Sequence, residues 1–144
     1  MRKVIGCFCC LVALGCSSEV ARYPISGSVS INGVPAGLAT VKFIADGKTN
    51  KEYGGSCLSD GTGKFVIGSN DKNLGLPEGD YKVTFSQSVG NDGKPIYGSG
   101  GKKSEVIGGE REAVPDIFRN PDTTPISAHV GRSGNDFKFE ILSK

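Results

Sequence analysis

Between Asp80 and Ser86 the chain alternates with a period of two: Tyr81, Val83 and Phe85 are apolar or aromatic, while Lys82 and Thr84 are polar. Successive side chains of an extended strand point to opposite faces, so this alternation describes a strand with one face buried. The same period recurs along the chain. Ile25, Gly27, Val29 and Ile31 alternate with Ser26, Ser28 and Ser30, and Ala39, Val41, Phe43 and Ala45 alternate with Thr40, Lys42 and Ile44. Lys64–Ile67 is a short candidate strand with the apolar run Phe65, Val66 and Ile67, and two closing sets follow: Ile126, Ala128 and Val130, then Phe137, Phe139 and Ile141. A glycine-broken stretch at 52–59 reads as loose, although Ser56, Cys57 and Leu58 within it make a further candidate strand. That makes seven short candidate strands bounded by Gly, Pro, Asn or Asp, with no helical periodicity beyond the N-terminal region. The expected class is all-β, and a sandwich is the economical way to bury these faces.

Turn chemistry punctuates the pattern. Asn32-Gly33 is a hairpin signal, because both central residues of the favoured two-residue turn need positive φ. Asp60-Gly61-Thr62-Gly63 makes a tight turn into the Lys64 strand. The stretch 88–109 is different, rich in Gly, Lys and Ser, and reads as a long flexible loop in which Lys102 and Lys103 guard a sheet edge.

The N-terminus points to export. Arg2 and Lys3 precede an apolar run, Val4 to Gly15, that is too short to span a bilayer, which takes about 20 residues. A positive start, a short apolar core and a small residue before the cut describe a secretory signal. Val12-Ala13-Leu14-Gly15-Cys16 resembles a bacterial lipobox, in which the Cys thiol is diacylglycerated and becomes the new N-terminus. That pattern usually has Leu three places before the Cys; here Ala13 stands there, with Leu14 beside it. The expected organisation is a signal peptide at 1–15, lipid attachment at Cys16, a tether at 16–23 and one domain at 24–144. Cys7, Cys9 and Cys10 leave with the signal, and Cys57 is then the only unmodified thiol, so no internal disulfide is expected. The whole chain carries 17 basic and 15 acidic residues; without Arg2 and Lys3 the two balance. A neutral body has no basic excess to recruit nucleic acid or anionic lipid, so membrane association falls to acyl chains at about 0.8 kcal/mol per buried CH₂. Ser17, rather than Asp, follows the Cys, which in a two-membrane cell favours the outer membrane.

Gly75-Leu76-Pro77-Glu78-Gly79-Asp80-Tyr81-Lys82-Val83 resembles the hallmark of carboxypeptidase regulatory-like domains, a transthyretin-like sandwich group. Their pattern sets a Gly-x-Pro-x-Gly turn before a strand beginning x-Tyr-x-Val. In it Pro77 and Gly79 would fix a turn, Leu76 would plug the end of the sandwich, and Tyr81 would start the inward face. Ile25-Ser26-Gly27-Ser28-Val29 with Gly33-Val34-Pro35, and Ser59-Asp60-Gly61-Thr62-Gly63-Lys64-Phe65, are similar to two further signatures of the group. Val114-Pro115, Phe118-Arg119, Thr123-Thr124-Pro125-Ile126 and Gly134-Asn135-Asp136-Phe137 resemble a subgroup of small secreted bacterial lipoproteins. The resemblance, over roughly Tyr23 to Leu142, implies a seven-stranded Greek-key β-sandwich and a lipid-anchored address in the cell envelope.

It does not imply catalysis. A zinc peptidase site needs two His and a Glu with a further carboxylate, and the chain has one histidine, His129, on an outward strand position. Transthyretin-like hydrolases of purine breakdown and iron dioxygenases on related sandwiches also use more histidines than this. A Cys57 or serine nucleophile would need a base in hydrogen-bond reach, and the sequence shows nothing to orient His129. The expectation is no enzyme, no cofactor and no metal. Asp46, Asp60, Asp71, Asp92 and Asp122 sit in turns, where aspartates bond their own backbone, without the clustered spacing of a calcium loop. The self-forming Lys–Asn isopeptide of similar adhesin sandwiches wants a lysine in the first strand, and 24–31 has none. Tyr53 and Tyr97 are the candidate exposed rings, the residues on which a glycan could stack. The favoured function is a membrane-anchored, non-catalytic envelope lipoprotein acting as a structural or protein-interaction module. The alternative is an extracellular carbohydrate- or polymer-binding module.

Overall fold

A computed structural model describes residues 20–47, 53–68, 75–96 and 109–143. Cys16, Tyr97, Asp71, Lys102 and Lys103 lie outside them. Twelve strands follow one another in the described residues: β1 (Arg22–Tyr23), β2 (Ile25–Ile31), β3 (Val34–Pro35), β4 (Thr40–Ala45), β5 (Gly54–Leu58), β6 (Lys64–Ile67), β7 (Leu76–Pro77), β8 (Gly79–Ser86), β9 (Ser88–Val89), β10 (Arg111–Glu112), β11 (Ser127–Val130) and β12 (Asp136–Ile141). The sequence reading expects seven. The additional ones are two-residue ladders, too short to show any alternation. A 3-10 turn occupies Asp116–Phe118.

The molecule is all-β with several sheets, consistent with a β-sandwich. One four-stranded sheet runs β11-β8-β4-β5, antiparallel throughout. In the other, β2 pairs with β12 on one side and with β3 and β6 on the other. The β2–β12 pair is parallel, Ser26 opposite Asp136 through Ile31 opposite Ile141. Phe43, from the middle of β4, meets the opposite sheet at Phe65, Phe137 and Phe139, with ring centroids 6.4, 5.9 and 6.2 Å away. Within its own sheet it meets Tyr81 edge-on at 6.3 Å. Tilted and edge-on pairs at these distances add about 0.5–1.5 kcal/mol each beyond area burial. Of the residues expected to face inward on β4 and β8, Val41, Phe43, Tyr81, Val83 and Phe85 are buried and Ala45 is half-buried.

Three differences from the sequence reading have clear causes. First, residues 54–58 are a paired strand, with Thr40 opposite Leu58 through Ile44 opposite Gly54. Gly54 and Gly55 have no side chains with which to show a period, and Leu76 packs onto the bare backbone, 3.1 Å from where a Cβ on Gly55 would sit. Second, the hairpin at Asn32 (φ 50) and Gly33 (φ 77) forms as its dipeptide requires, but returns only the two residues of β3. The chain then passes Leu38, whose φ is 56, and joins the other sheet as β4. The buried Ser59 hydroxyl closes this crossing, donating to Ala36 O at 2.6 Å and accepting from Ala39 N at 2.9 Å. Third, the 88–109 stretch begins as a strand: Ser88–Val89 pairs with Arg111–Glu112, and a turn links Gly90 to Lys94. Residues 97–108 lie outside the described ones.

One corner of the fold gives the Gly75–Val83 stretch its physical meaning. Gly75 has φ 102, and a Cβ there would lie 1.7 Å from Tyr23 O, because β1 runs against β7. Only glycine allows that approach. Leu76 and Tyr81 are buried, and the Tyr81 hydroxyl donates to Pro77 O at 2.9 Å, tying β8 back onto its own turn. Burial also pushes the Tyr81 phenol pKa up, with Arg22 acting in the opposite sense.

Candidate functional site

The outer face of the β11-β8-β4-β5 sheet presents one set of residues that point away from the core. On β4 it carries Thr40, Lys42 and Ile44; on β5, Gly54, Ser56 and Leu58; on β8, Asp80, Lys82 and Thr84. Register sets the rows: Lys42 lies between Ser56 and Thr84, and Ile44 between Gly54 and Lys82. Thr84 is buried because the returning chain crosses here, with Thr124 Oγ1 donating to Val83 O at 2.9 Å and accepting from Ile126 N.

A depression of about 590 Å³ opens on this face, walled by Tyr53 and Pro121 and floored by Lys42, Ile44, Gly54 and Ser56. Tyr53 is half-buried rather than freely exposed, and Arg22 Cζ lies 5.2 Å from its ring centroid. A cation over a tyrosine ring contributes roughly 0.5–1 kcal/mol at an exposed site. It also occupies one of the two faces on which a sugar could stack. Tyr97, the other candidate ring, lies outside the described residues. Pro121 also borders a second depression of about 720 Å³, formed by the 116–123 segment with Ile117 and an Arg119–Asp116 ion pair in its wall.

His129 departs from the sequence reading. It is outward, as expected on β11, but it is oriented: its Nδ1 lies 2.7 Å from Asp80 Oδ1, the residue directly opposite on β8. The two are 49 residues apart in sequence, so only the strand register joins them. An Asp–His pair invites comparison with a nucleophile-activating triad, and Ser127 shares the face. The Ser127 hydroxyl accepts instead from Lys82 Nζ at 3.2 Å, and residues two apart on a strand stand about 7 Å from each other. The nucleophile–base hydrogen bond that acyl transfer needs is therefore not made between Ser127 and His129.

Cys57 is half-buried on β5. Burial pushes its thiol pKa up to about 11, against a smaller opposing effect of the Val66 backbone amide. At neutral pH it is a protonated thiol, and the thiolate is the nucleophilic form. Two of the turn aspartates, Asp60 and Asp92, serve their own loops. Asp60 Oδ1 accepts from Thr62 N, Thr62 Oγ1 and Lys64 N, and Asp92 Oδ1 from Lys94 N; these bonds lower both carboxyl pKa values. Among the described residues no three His, Cys, Asp or Glu side chains converge as a metal-binding group.

Sequence reasoning also passes over Glu112. Its carboxylate accepts from Ser86 Oγ and Gln87 N, both at 2.7 Å, and from Val114 N at 3.0 Å. Buried Gln87 in turn donates to Gly37 O at 2.7 Å. This set fastens the return of the chain at 111–114 to the end of β8 and reads as structural. Compared with known proteins, the chain matches no family model, no curated protein and no solved structure.

Proposed function

We propose that the chain is a lipid-anchored, non-catalytic module of the cell envelope that works through protein contacts, built as a seven-stranded Greek-key sandwich of the carboxypeptidase regulatory-like kind. The observation that carries this reading is the N-terminal pattern: a basic start, a short apolar run and Gly15-Cys16 just ahead of a domain whose first strand begins at Arg22. Five residues separate Cys16 from Arg22, an extended reach of about 20 Å over six Cα–Cα steps. A Cys16 lipid would therefore hold the domain close to the bilayer, with the β1–β7 corner nearest the membrane. The close approach of Gly75 to Tyr23 and the Tyr81–Pro77 bond support the family resemblance, since they give the Gly-x-Pro-x-Gly and Tyr positions a structural task.

The test is the intact mass of the protein extracted from membranes of its native host. A chain starting at Cys16 and carrying a diacylglyceryl or triacyl group is expected, and Cys16→Ser abolishes membrane retention. An unmodified soluble chain overturns the anchor. Cross-linking in the intact envelope then reads the partner class: a protein adduct is expected, and saturable capture by envelope polysaccharide that is lost in Tyr53→Ala replaces the protein-contact reading with the glycan one.

A further inference from the structure

We infer that the open edge of β5 is a docking site for an extended acidic segment of a partner protein, which adds to the sheet as a further strand; this rests on the protein-contact reading above. The backbone supplies the first argument. Ser59 N–H donates to Ala39 O at 2.8 Å, so the alternation of an antiparallel ladder assigns the bonds to β4 to residues 57 and 55. The N–H and C=O groups of Gly54, Ser56 and Leu58 then point away from β4, and these three residues are exposed. β6, from the other sheet, meets β5 through the Cys57 thiol and the Val66 amide, and no backbone bond joins the two strands among the described residues.

The edges differ in protection. The outer edge of β12 carries Asp136, Lys138 and Glu140, the charges by which sheet edges resist pairing. That of β6 is closed by its own turn, since Asp60 bonds Lys64 at both N and O. β5 has no charge, no proline and no bulge: its sequence is Gly-Gly-Ser-Cys-Leu.

Charge selects the occupant. Lys42 and Arg22 flank this edge from the sheet face and the Tyr53 end, and neither has a carboxylate partner among the described residues. Two turn acids of the surrounding loops are engaged in bonds of their own, Asp60 with Thr62 and Lys64 and Asp116 with Arg119. Lys42 sits directly behind Ser56, and a strand added to β5 would lie two strand spacings from it, about 10 Å. Ser56 and Gly54 are small enough for a long cationic side chain to reach across them to a glutamate on the incoming strand. Main-chain bonds would provide the affinity and the cations the preference, as in other strand-addition complexes.

The experiment titrates the full-length chain, ¹⁵N-labelled, with a capped peptide of alternating Glu and Val. Saturable shifts centred on the amides of Gly54, Ser56 and Leu58 are expected, weakening as salt is raised. Lys42→Glu should weaken binding about three- to tenfold and favour the same peptide with Lys in place of Glu. Ser56→Pro removes an outward N–H while sparing the ladder to β4, and should abolish binding with the native spectrum retained elsewhere. Should Ser56→Pro disturb the fold, a peptide N-methylated on alternate residues makes the same test from the other side and should fail to bind. Shifts centred elsewhere, equal binding of the Lys peptide to the wild type, or undiminished binding of the N-methylated peptide overturn the inference. A protein adduct in the envelope that does not involve β5 would refute this site while leaving the protein-contact reading standing.

Discussion

The corner around Gly75–Tyr81 and the outer face of β4 and β5 are both drawn from the same sheet and its connections, yet they are built on opposite principles. In the corner each residue is committed: Gly75 to the backbone of Tyr23, Leu76 to the bare backbone of Gly55, the Tyr81 hydroxyl to Pro77. On the outer face, Lys42 and Ser56 are exposed and have no side-chain hydrogen bond among the described residues. Conformation is specified in the first region and left available in the second. That division is what a recognition domain needs, because a residue that holds the fold cannot easily be spent on a partner.

The comparison can be broken by mutation. Gly75→Ala should be the most damaging change, destabilising by about 3 kcal/mol or more, since it imposes both a left-handed φ and a backbone clash. Gly33→Ala is the control, with φ 77 but open space around the added carbon; about 1 kcal/mol is expected. Equal losses at the two positions in urea unfolding would show that φ, not the contact with Tyr23, governs the corner. Tyr81→Phe should follow at about 1–2 kcal/mol, because it leaves the buried Pro77 carbonyl without its donor. Lys42→Ala, by contrast, should change stability by no more than about 0.5 kcal/mol while weakening acidic-peptide binding. A large stability loss there would erase the distinction between the regions.

Titration sharpens the same contrast at smaller amplitude. The folded pKa of Asp60 lies below its ordinary value, so its contribution to stability is present above the unfolded pKa and is lost as pH falls through the folded one. Asp60→Asn should therefore flatten the acid limb of a stability profile, and an unchanged limb would remove Asp60 from the account of that turn. For Cys57, whose thiol pKa is raised to about 11, alkylation by iodoacetamide should be slow at neutral pH and accelerate upon unfolding. Rapid native-state labelling would mean that β5 opens more readily than its pairing with β4 suggests.

The pairing of β7 with Arg22–Tyr23, a stretch read as tether, joins residues more than 50 apart and left no local signal in the sequence. The corner's turn and the inward Leu76 and Tyr81 were readable because their signals are local, within nine residues of chain, Gly75 to Val83. The inward faces of β2, β4, β8, β11 and β12 were readable for the same reason, since alternation is a local property. Alternation tells which face a residue takes but not which sheet the strand joins, so the passage from β3 to the opposite sheet left no trace. Strand β5 was half-hidden because Gly54 and Gly55 cannot alternate. The candidate site was the least legible part. Tyr53 was identified, but Lys42, Ser56 and Pro121 acquire meaning only through register and through a crossing chain about 60–80 residues distant. His129 and Asp80 likewise met only once β8 and β11 were aligned.

The parallel pairing of β2 with β12 has a mechanical consequence. The two strands run side by side, the start of β2 beside the start of β12, and the chain enters the first at one end and leaves the second at the other. A force applied between the termini therefore pulls the pair lengthwise in opposite directions, loading all the bonds of the ladder together instead of opening them one at a time from an end. Resistance to such a pull is set by the rate of unfolding rather than by equilibrium stability. A domain tethered at its N-terminus and tugged through its C-terminal strand would thus meet tension in shear, the geometry in which a short ladder is hardest to unzip.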